Sequence, residues 1–347
     1  METASTVLPP KTKFRWHWSH LLWLLVPAAV WLVLRGIPLQ DTLLALTRLQ
    51  GWQLVTLIGM NALALVAFTG AWWVILKAHG YALNYLKLMQ GRVGGFGVSY
   101  FIPGPQVGSE TVQVIWAVTR FGVPLPVATA SVALDKTLEI LVNFIMVAAG
   151  LLVMAQYAVL PQVPPALLIL AGIVLITLPV MFLAAVIAGW KPLSRLLKRA
   201  PHGLARTSLF QRIAQTVLET EELMTEFCRQ HRGAFILALG LMALSWGILL
   251  ADYWLGAHFL GMPLTAAHVF MAIAMSRMAL LVPLPGAAGA LEGSQVLALS
   301  ALGFSPALGL AQSLIMRIRD VSIALFGLIW MTAGEWLARR FRPTTPP

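Results

Sequence analysis

The chain has 347 residues, of which 59% are hydrophobic and only 11% charged, against roughly 25% charged in soluble domains. That balance excludes an ordinary soluble enzyme and predicts an all-α polytopic membrane protein, because several apolar runs reach the roughly 20 residues that cross a hydrocarbon core. The short alternating segments of a membrane barrel are not evident. The net charge of +11 would suggest nucleic acid in a soluble chain. Here it reads as the basic excess of cytoplasmic loops, so nucleic acid is not an expected partner. The single cysteine, Cys228, excludes an internal disulfide and a cysteine metal cluster.

Residues 1–19 form a basic tail (Lys11, Lys13, Arg15) before a first predicted span at about 20–35. No Ala-x-Ala site follows, so this is read as an uncleaved helix rather than a signal peptide. Residues 36–50 read as a short amphipathic connection. A second span runs from about 52 to 76 and ends in the interfacial anchor Trp72-Trp73 with Lys77. A helix at 82–102 carries Arg92 and four glycines, small residues that let helices approach closely. Pro103-Gly104-Pro105 stops it, since proline removes a donor and clashes with the preceding turn. A short helix then covers 107–120. Pro124 opens a span to about 155, and 166–190 is another.

Residues 191–232 form the one sizeable extramembrane segment, with eight Lys/Arg against four Glu. Phe210, Ile213, Val217, Met224 and Phe227 share a helical face there, which predicts an amphipathic helix lying on the membrane or on the bundle. A span at about 233–255, a helix at 265–283, a break at Pro285-Gly286, a short helix to about 302 and a span from Pro306 to about 338 follow. The chain closes on a basic tail at 341–347.

Laying 103–131 over 285–313 without a gap matches seven of 29 positions, including Pro103/Pro285, Gly104/Gly286, Glu110/Glu292, Gln113/Gln295 and Pro124/Pro306. Chance would give roughly two or three. The reading is therefore about eight hydrophobic helices plus two short re-entrant helices, arranged as an internal repeat of about 52–155 and about 233–338. With both termini inside, 17 of the 24 Lys/Arg fall on the cytoplasmic side, two outside and five at membrane depth. The two hairpins then enter from opposite faces, which makes the repeat inverted, as in many secondary transporters.

Charges at membrane depth are functional candidates, because placing one there costs about 2.5–3.5 kcal/mol even on lenient scales. Arg277, Arg317 and Arg319 are candidate contacts for a phosphate or carboxylate, which suits the guanidinium fork. Asp135, Glu139, Glu110 and Glu292 would carry protons or balance the arginines, and Arg92, Gln113 and Gln295 complete the candidate set. The alternative is that these charges pair with one another and fix helix packing. Gly108 and Gly289 join Pro103, Gly104, Pro285 and Gly286 as the hairpin breaks, whose helix N-termini would favour anions. No metal-ligand set, nucleophile triad or cofactor motif is apparent.

Two stretches carry a family resemblance. Pro103-Gly104 followed by Gly108 and Glu110, then Gly122-Val123-Pro124 and Asp135-Lys136 with Glu139, resembles the lysylphosphatidylglycerol synthase transmembrane region, the flippase-like domain family. Residues 282–292, Val-Pro-Leu-Pro-Gly-Ala-Ala-Gly-Ala-Leu-Glu, resemble that family's second signature. The similarity spans about 20–340. It implies a multi-pass inner (plasma) membrane protein that moves or handles a lipid, whether aminoacyl-phospholipid, hopanoid or glycan-lipid. Members that make aminoacyl lipids do so with a separate soluble domain. None follows in this chain, so aminoacyl transfer is not expected. The sequence departs from the family at Gln106-Val107 and at Ala287 and Ala288, where glycine is usual.

The expectation is a lipid flippase or transporter for an anionic or glycan/isoprenoid-type lipid, with a membrane lipid as substrate, lipid-biosynthesis enzymes as candidate partners, no cofactor and no enzyme activity. The alternatives are an intramembrane lipid-modifying enzyme with Glu110 or Glu292 as general base, and a non-transporting scaffold of a lipid-synthesis complex.

Overall fold

A computed structural model of the chain describes residues 31, 39–102, 108–157, 162–197, 199, 207–282 and 284–340. The predicted tails at 1–19 and 341–347, and all of the first span except Trp31, lie outside the described residues, as do Pro103 and Gly104. Among the described residues there are twelve α-helices and no strand. They are α1 (Leu39–Thr47), α2 (Gly51–Ala78), α3 (Tyr85–Phe101), α4 (Ser109–Phe121), α5 (Leu125–Gln156), α6 (Pro165–Ala188), α7 (Pro192–Leu197), α8 (Ser208–Gln230), α9 (Arg232–Phe259), α10 (Ala266–Ala279), α11 (Ala290–Ala301) and α12 (Pro306–Arg340).

Four of these, α2, α5, α6 and α9, are long and apolar enough to cross a membrane. The long helix α12 is not among them; it carries Arg317, Arg319 and Asp320. Exposed apolar side chains line the outside of the long helices, such as Val55 and Ile58 on α2 and Leu170, Ile173 and Leu178 on α6. A hydrocarbon surrounding makes that exposure inexpensive, whereas helical hydrogen bonding is obligatory there.

The short helices α4 and α11, with 13 and 12 residues, reach only about 18–20 Å at 1.5 Å per residue, well short of a roughly 30 Å core. Each folds back on the helix before it. Gly91 lies against Trp116 and Gly95 against Ser109, so α3 and α4 run antiparallel. A Cβ at Gly95 would sit 2.9 Å from the Ser109 carbonyl oxygen, which is why glycine stands there. In the second hairpin, Gln295 Nε2 donates to the Ala272 carbonyl at 3.0 Å. The helix predicted to reach residue 283 stops at Ala279, ahead of Pro283 and Pro285, which disfavour helical backbone before them.

The centre is the antiparallel pair α2 and α9. Trp52 meets Phe259 at one end, Asn61 meets Asp252 nearer the middle, and Phe68 meets Trp246 beyond it. Helix α3 packs on α12, and α10 packs on α5. Local devices recur at both places. The indole of Trp73 donates to Leu83 O at 3.0 Å and that of Trp254 to Leu264 O at 2.9 Å. Asn84 then caps α3 and Thr265 caps α10 through their side-chain oxygens.

Residues 36–50 were expected as a connection, but 39–47 form α1. Asp41 in its first turn suits the helix dipole, and Thr42 Oγ1 donates to Ala307 O at 3.4 Å. The amphipathic helix predicted in 191–232 is α8, but only its C-terminal half docks. Met224 and Phe227 are buried, whereas Ile213 is exposed. Thr225 Oγ1 donates to Val186 O at 2.9 Å and Arg229 Nε to Ile187 O at 2.7 Å. The Arg229 bond satisfies a carbonyl that the end of α6 leaves without a helical partner, and Thr225 adds a second donor to Val186 O, which already accepts from Gly189 N–H at 2.9 Å.

Candidate functional site

Both hairpin breaks rest on glycine backbone in the left-handed half of φ space: Gly108 at 137°, Gly286 at 54° and Gly289 at 81°. Pro285 opens the single 3₁₀ turn, Pro285–Ala287. Each following helix is capped from within. Gly108 N–H donates to Glu110 Oε2 at 3.2 Å, and Gly289 N–H to Glu292 Oε2 at 2.7 Å. The N-terminal donors expected to attract a bound anion are thus partly taken by the chain's own carboxylates.

Each of these glutamates also latches its short helix to the next long one. Glu110 Oε1 pairs with Lys136 Nζ at 3.0 Å. Glu292 Oε1 accepts from Arg317 Nε at 2.9 Å and Nη2 at 2.7 Å. The remaining arm of Arg317 donates to the Tyr100 hydroxyl oxygen at 2.9 Å and to the Gly286 carbonyl. Arg317 is therefore bound on all three nitrogens and ties α12 to α11, to the second break and to α3.

Between α2, α3, α4 and α5 on one side and α9 to α12 on the other lies a cavity of about 200 Å³. Its charged lining is Arg92, Lys136, Arg277 and Arg319 against Glu139 and Asp320. Five of these six are paired. Arg92 Nη1 donates to Asp135 Oδ2 at 2.8 Å, its Nη2 is 3.7 Å from Glu139, and Glu139 lies 2.9 Å from Lys136. Arg319 pairs with Asp320 at 2.8 Å and with Asp252 at 3.1 Å, and Asp252 also accepts from Asn61 Nδ2 at 2.9 Å.

Arg277 differs. Among the described residues it meets no carboxylate at ion-pair distance. Its guanidinium carbon instead sits 4.5 Å from the ring centroid of Trp246, in a cation–π contact. Among the described residues, four cavity-lining side chains also hold buried polar atoms without hydrogen-bond partners: Ser99 Oγ, Gln113 Oε1, Trp246 Nε1 and Arg277 Nε. Ser99, Gln113 and Trp246 are 3%, 5% and 3% exposed. Such atoms each cost about 1–3 kcal/mol when nothing satisfies them, and a bound polar molecule would offset that cost.

Of the residues singled out from sequence, Arg92, Gln113, Glu139, Arg277 and Arg319 line the cavity. Glu110 and Asp135 stand behind it as partners of Lys136 and Arg92. Arg317 and Glu292 are paired away from it. Gln295 is a packing residue that accepts from Tyr253 OH at 2.6 Å. Sequence reasoning missed Asn61, Ser99, Trp246 and Asp252. A polar residue inside an apolar run was the available signal for Asn61 and Asp252.

No curated protein and no solved structure matches the chain. The family model described as the lysylphosphatidylglycerol synthase TM region matches residues 18–327, and the chain belongs to that family.

Proposed function

We propose that this chain is a flippase- or transporter-like carrier of an anionic or glycan/isoprenoid-type membrane lipid, and not an enzyme. The observation that carries the reading is Arg277, a cation without an ion-pair partner among the described residues, in a cavity at the meeting of the two halves. A headgroup would enter there while its hydrocarbon chains stay in the bilayer.

An inverted repeat supports a carrier, and several relationships support the repeat. Helices α2 to α5 correspond to α9 to α12. Under that correspondence α2–α3 packing answers to α9–α10, α3–α4 to α10–α11, α4–α5 to α11–α12, and α3–α12 to α10–α5. The equivalent helices α2 and α9 pack antiparallel on each other, as an axis in the membrane plane requires. The positive-inside bias supports a plasma-membrane protein with both termini cytoplasmic.

The test is reconstitution in vesicles carrying headgroup-labelled lipids, with leaflet exchange followed by a membrane-impermeant quencher. The expected result is protein-dependent exchange that Arg277→Gln reduces at least about tenfold, the effect of losing one charge-assisted contact. Folded protein that moves none of a panel of anionic and glycan lipids overturns the reading.

A further inference from the structure

Resting on the carrier reading, we propose that the cavity selects a headgroup made of one phosphodiester with neighbouring hydroxyls and no amine. The donors and acceptors left open around the cavity define that chemistry. Arg277 offers the unpaired positive charge, and its Nε and the indole Nε1 of Trp246 are both N–H donors without partners. Phosphate oxygens accept from such donors, and the guanidinium supplies a planar fork for them. Gln113 Oε1 is an acceptor and Ser99 Oγ is both donor and acceptor. A ligand hydroxyl satisfies either.

The open groups come from both halves: Ser99 from α3 and Gln113 from α4, Trp246 from α9 and Arg277 from α10. A headgroup spanning phosphate and hydroxyl would therefore bridge them. The space suits a headgroup and not a whole lipid. About 200 Å³ is roughly seven waters' worth of liquid volume, below the usual range for whole-ligand pockets.

The exclusion of an amine comes from the carboxylates. An ammonium group in a buried site needs an unpaired acid. Glu139 is held by Lys136 at 2.9 Å and Arg92 at 3.7 Å, and Asp320 by Arg319 at 2.8 Å. Among the described residues no other carboxylate lines the cavity. Binding an amine would mean pulling an acid out of a buried pair, which strands the cation left behind. The one unpaired charge in the lining, Arg277, repels it.

The test is equilibrium binding to the full-length chain in detergent, using dioctanoyl lipids that differ only at the headgroup. Phosphatidylglycerol should bind about tenfold or more tighter than phosphatidylethanolamine. Phosphatidylmethanol keeps the phosphodiester without hydroxyls and should fall between them, about two- to tenfold weaker than phosphatidylglycerol. A hexosyl isoprenyl phosphate tests the same chemistry on a different hydrocarbon. Tighter binding of that probe assigns the headgroup to a glycan-lipid, and tighter phosphatidylglycerol assigns it to a glycerophospholipid.

Gln113→Leu should narrow the difference between the glycerol and methyl headgroups, Gln113→Leu/Ser99→Ala should abolish it, and Arg277→Gln should lower affinity for both at least about tenfold. Trp246→Phe keeps an aromatic face for Arg277 while removing the indole N–H, so it reports on the site if Arg277→Gln fails to fold. Equal or tighter binding of phosphatidylethanolamine overturns the proposal. So does unchanged phosphatidylglycerol affinity in folded Arg277→Gln or Trp246→Phe protein. Lipid exchange in vesicles without this preference overturns the headgroup assignment and leaves the carrier reading standing. The preference without exchange does the reverse.

Discussion

Arg319 on α12 reaches Asp252 on α9, with Nη1 3.1 Å from Oδ2. Asp252 is 5% exposed and its other oxygen accepts from Asn61 on α2. One carboxylate therefore joins the α2–α9 pair to the long helix that carries Arg319, one of three arginines lining the cavity. Removing one member of a buried pair costs about 3–5 kcal/mol when the partner is left stranded, but Arg319 keeps Asp320 at 2.8 Å. Asp252→Ala should therefore lower stability by about 1.5–3 kcal/mol, the range for a charge-assisted hydrogen bond, read as a drop in melting temperature in detergent. The double variant Asp252→Ala/Arg319→Ala should recover none of that loss, because it leaves Asp320 without its cation. A single variant as stable as the parent would show that water or Asp320 already neutralises Arg319.

Four apolar spans, the two short helices and the glycines that precede them were legible in the chain, because hydropathy, proline and glycine act locally. The division of labour among the charges was not. Arg277 and Arg317 look alike in sequence, each an arginine flanked by apolar residues in a helix of the second half. Only the packing puts Glu292 and Tyr100 against Arg317 and a tryptophan ring against Arg277. Likewise Gln113 and Gln295 are equivalent by register, yet Tyr253 satisfies the oxygen of one and leaves that of the other open. Partners drawn from distant segments decide such roles, and no spacing rule reports them.

The two glutamate latches differ in strength. Arg317 has Glu292 as its carboxylate partner, with two nitrogens on one oxygen, and both side chains are largely buried. Lys136 holds Glu110 and Glu139 together, and all three side chains are about one-third exposed or slightly less. Glu292→Gln should therefore cost about 1.5–3 kcal/mol, the range for a charge-assisted hydrogen bond. Glu110→Gln should cost about 0–1 kcal/mol, since exposed pairs contribute little and Lys136 keeps Glu139. Equal losses in paired melting curves would show that the two latches bear equal weight.

Glycines of α2 and α3 separate packing from flexibility. Gly95 faces the Ser109 backbone, where a Cβ has only 2.9 Å. Gly59 on α2 has nothing within 4 Å of an added Cβ. Gly95→Ala should destabilise by about 1–3 kcal/mol through overpacking of the first hairpin. Gly59→Ala should be neutral or stabilising by up to about 1 kcal/mol, since alanine is the better helix former. Thermal unfolding of both variants checks the contrast, and a tolerated Gly95→Ala would mean that the hairpin can open at that point.

Cys228 reports on whether α8 stays docked. It sits on the buried face of α8 beside Met224 and Phe227, and burial pushes its thiol up to about 11. The docked state therefore favours the neutral thiol. Its contribution to stability is full below the ordinary thiol range near 8.5 and is lost as pH rises toward 11. At pH 7, raising the pKa from 9.0 to about 11 cuts the thiolate fraction about 100-fold, and the packing blocks access as well. Methanethiosulfonate labelling of the folded chain should be at least about 100-fold slower than labelling of the denatured chain at pH 7. Substituting Phe227→Ala should speed it by loosening the docked face. Fast labelling of the intact folded chain would mean that α8 leaves α5 and α6 often enough to expose the surfaces it covers.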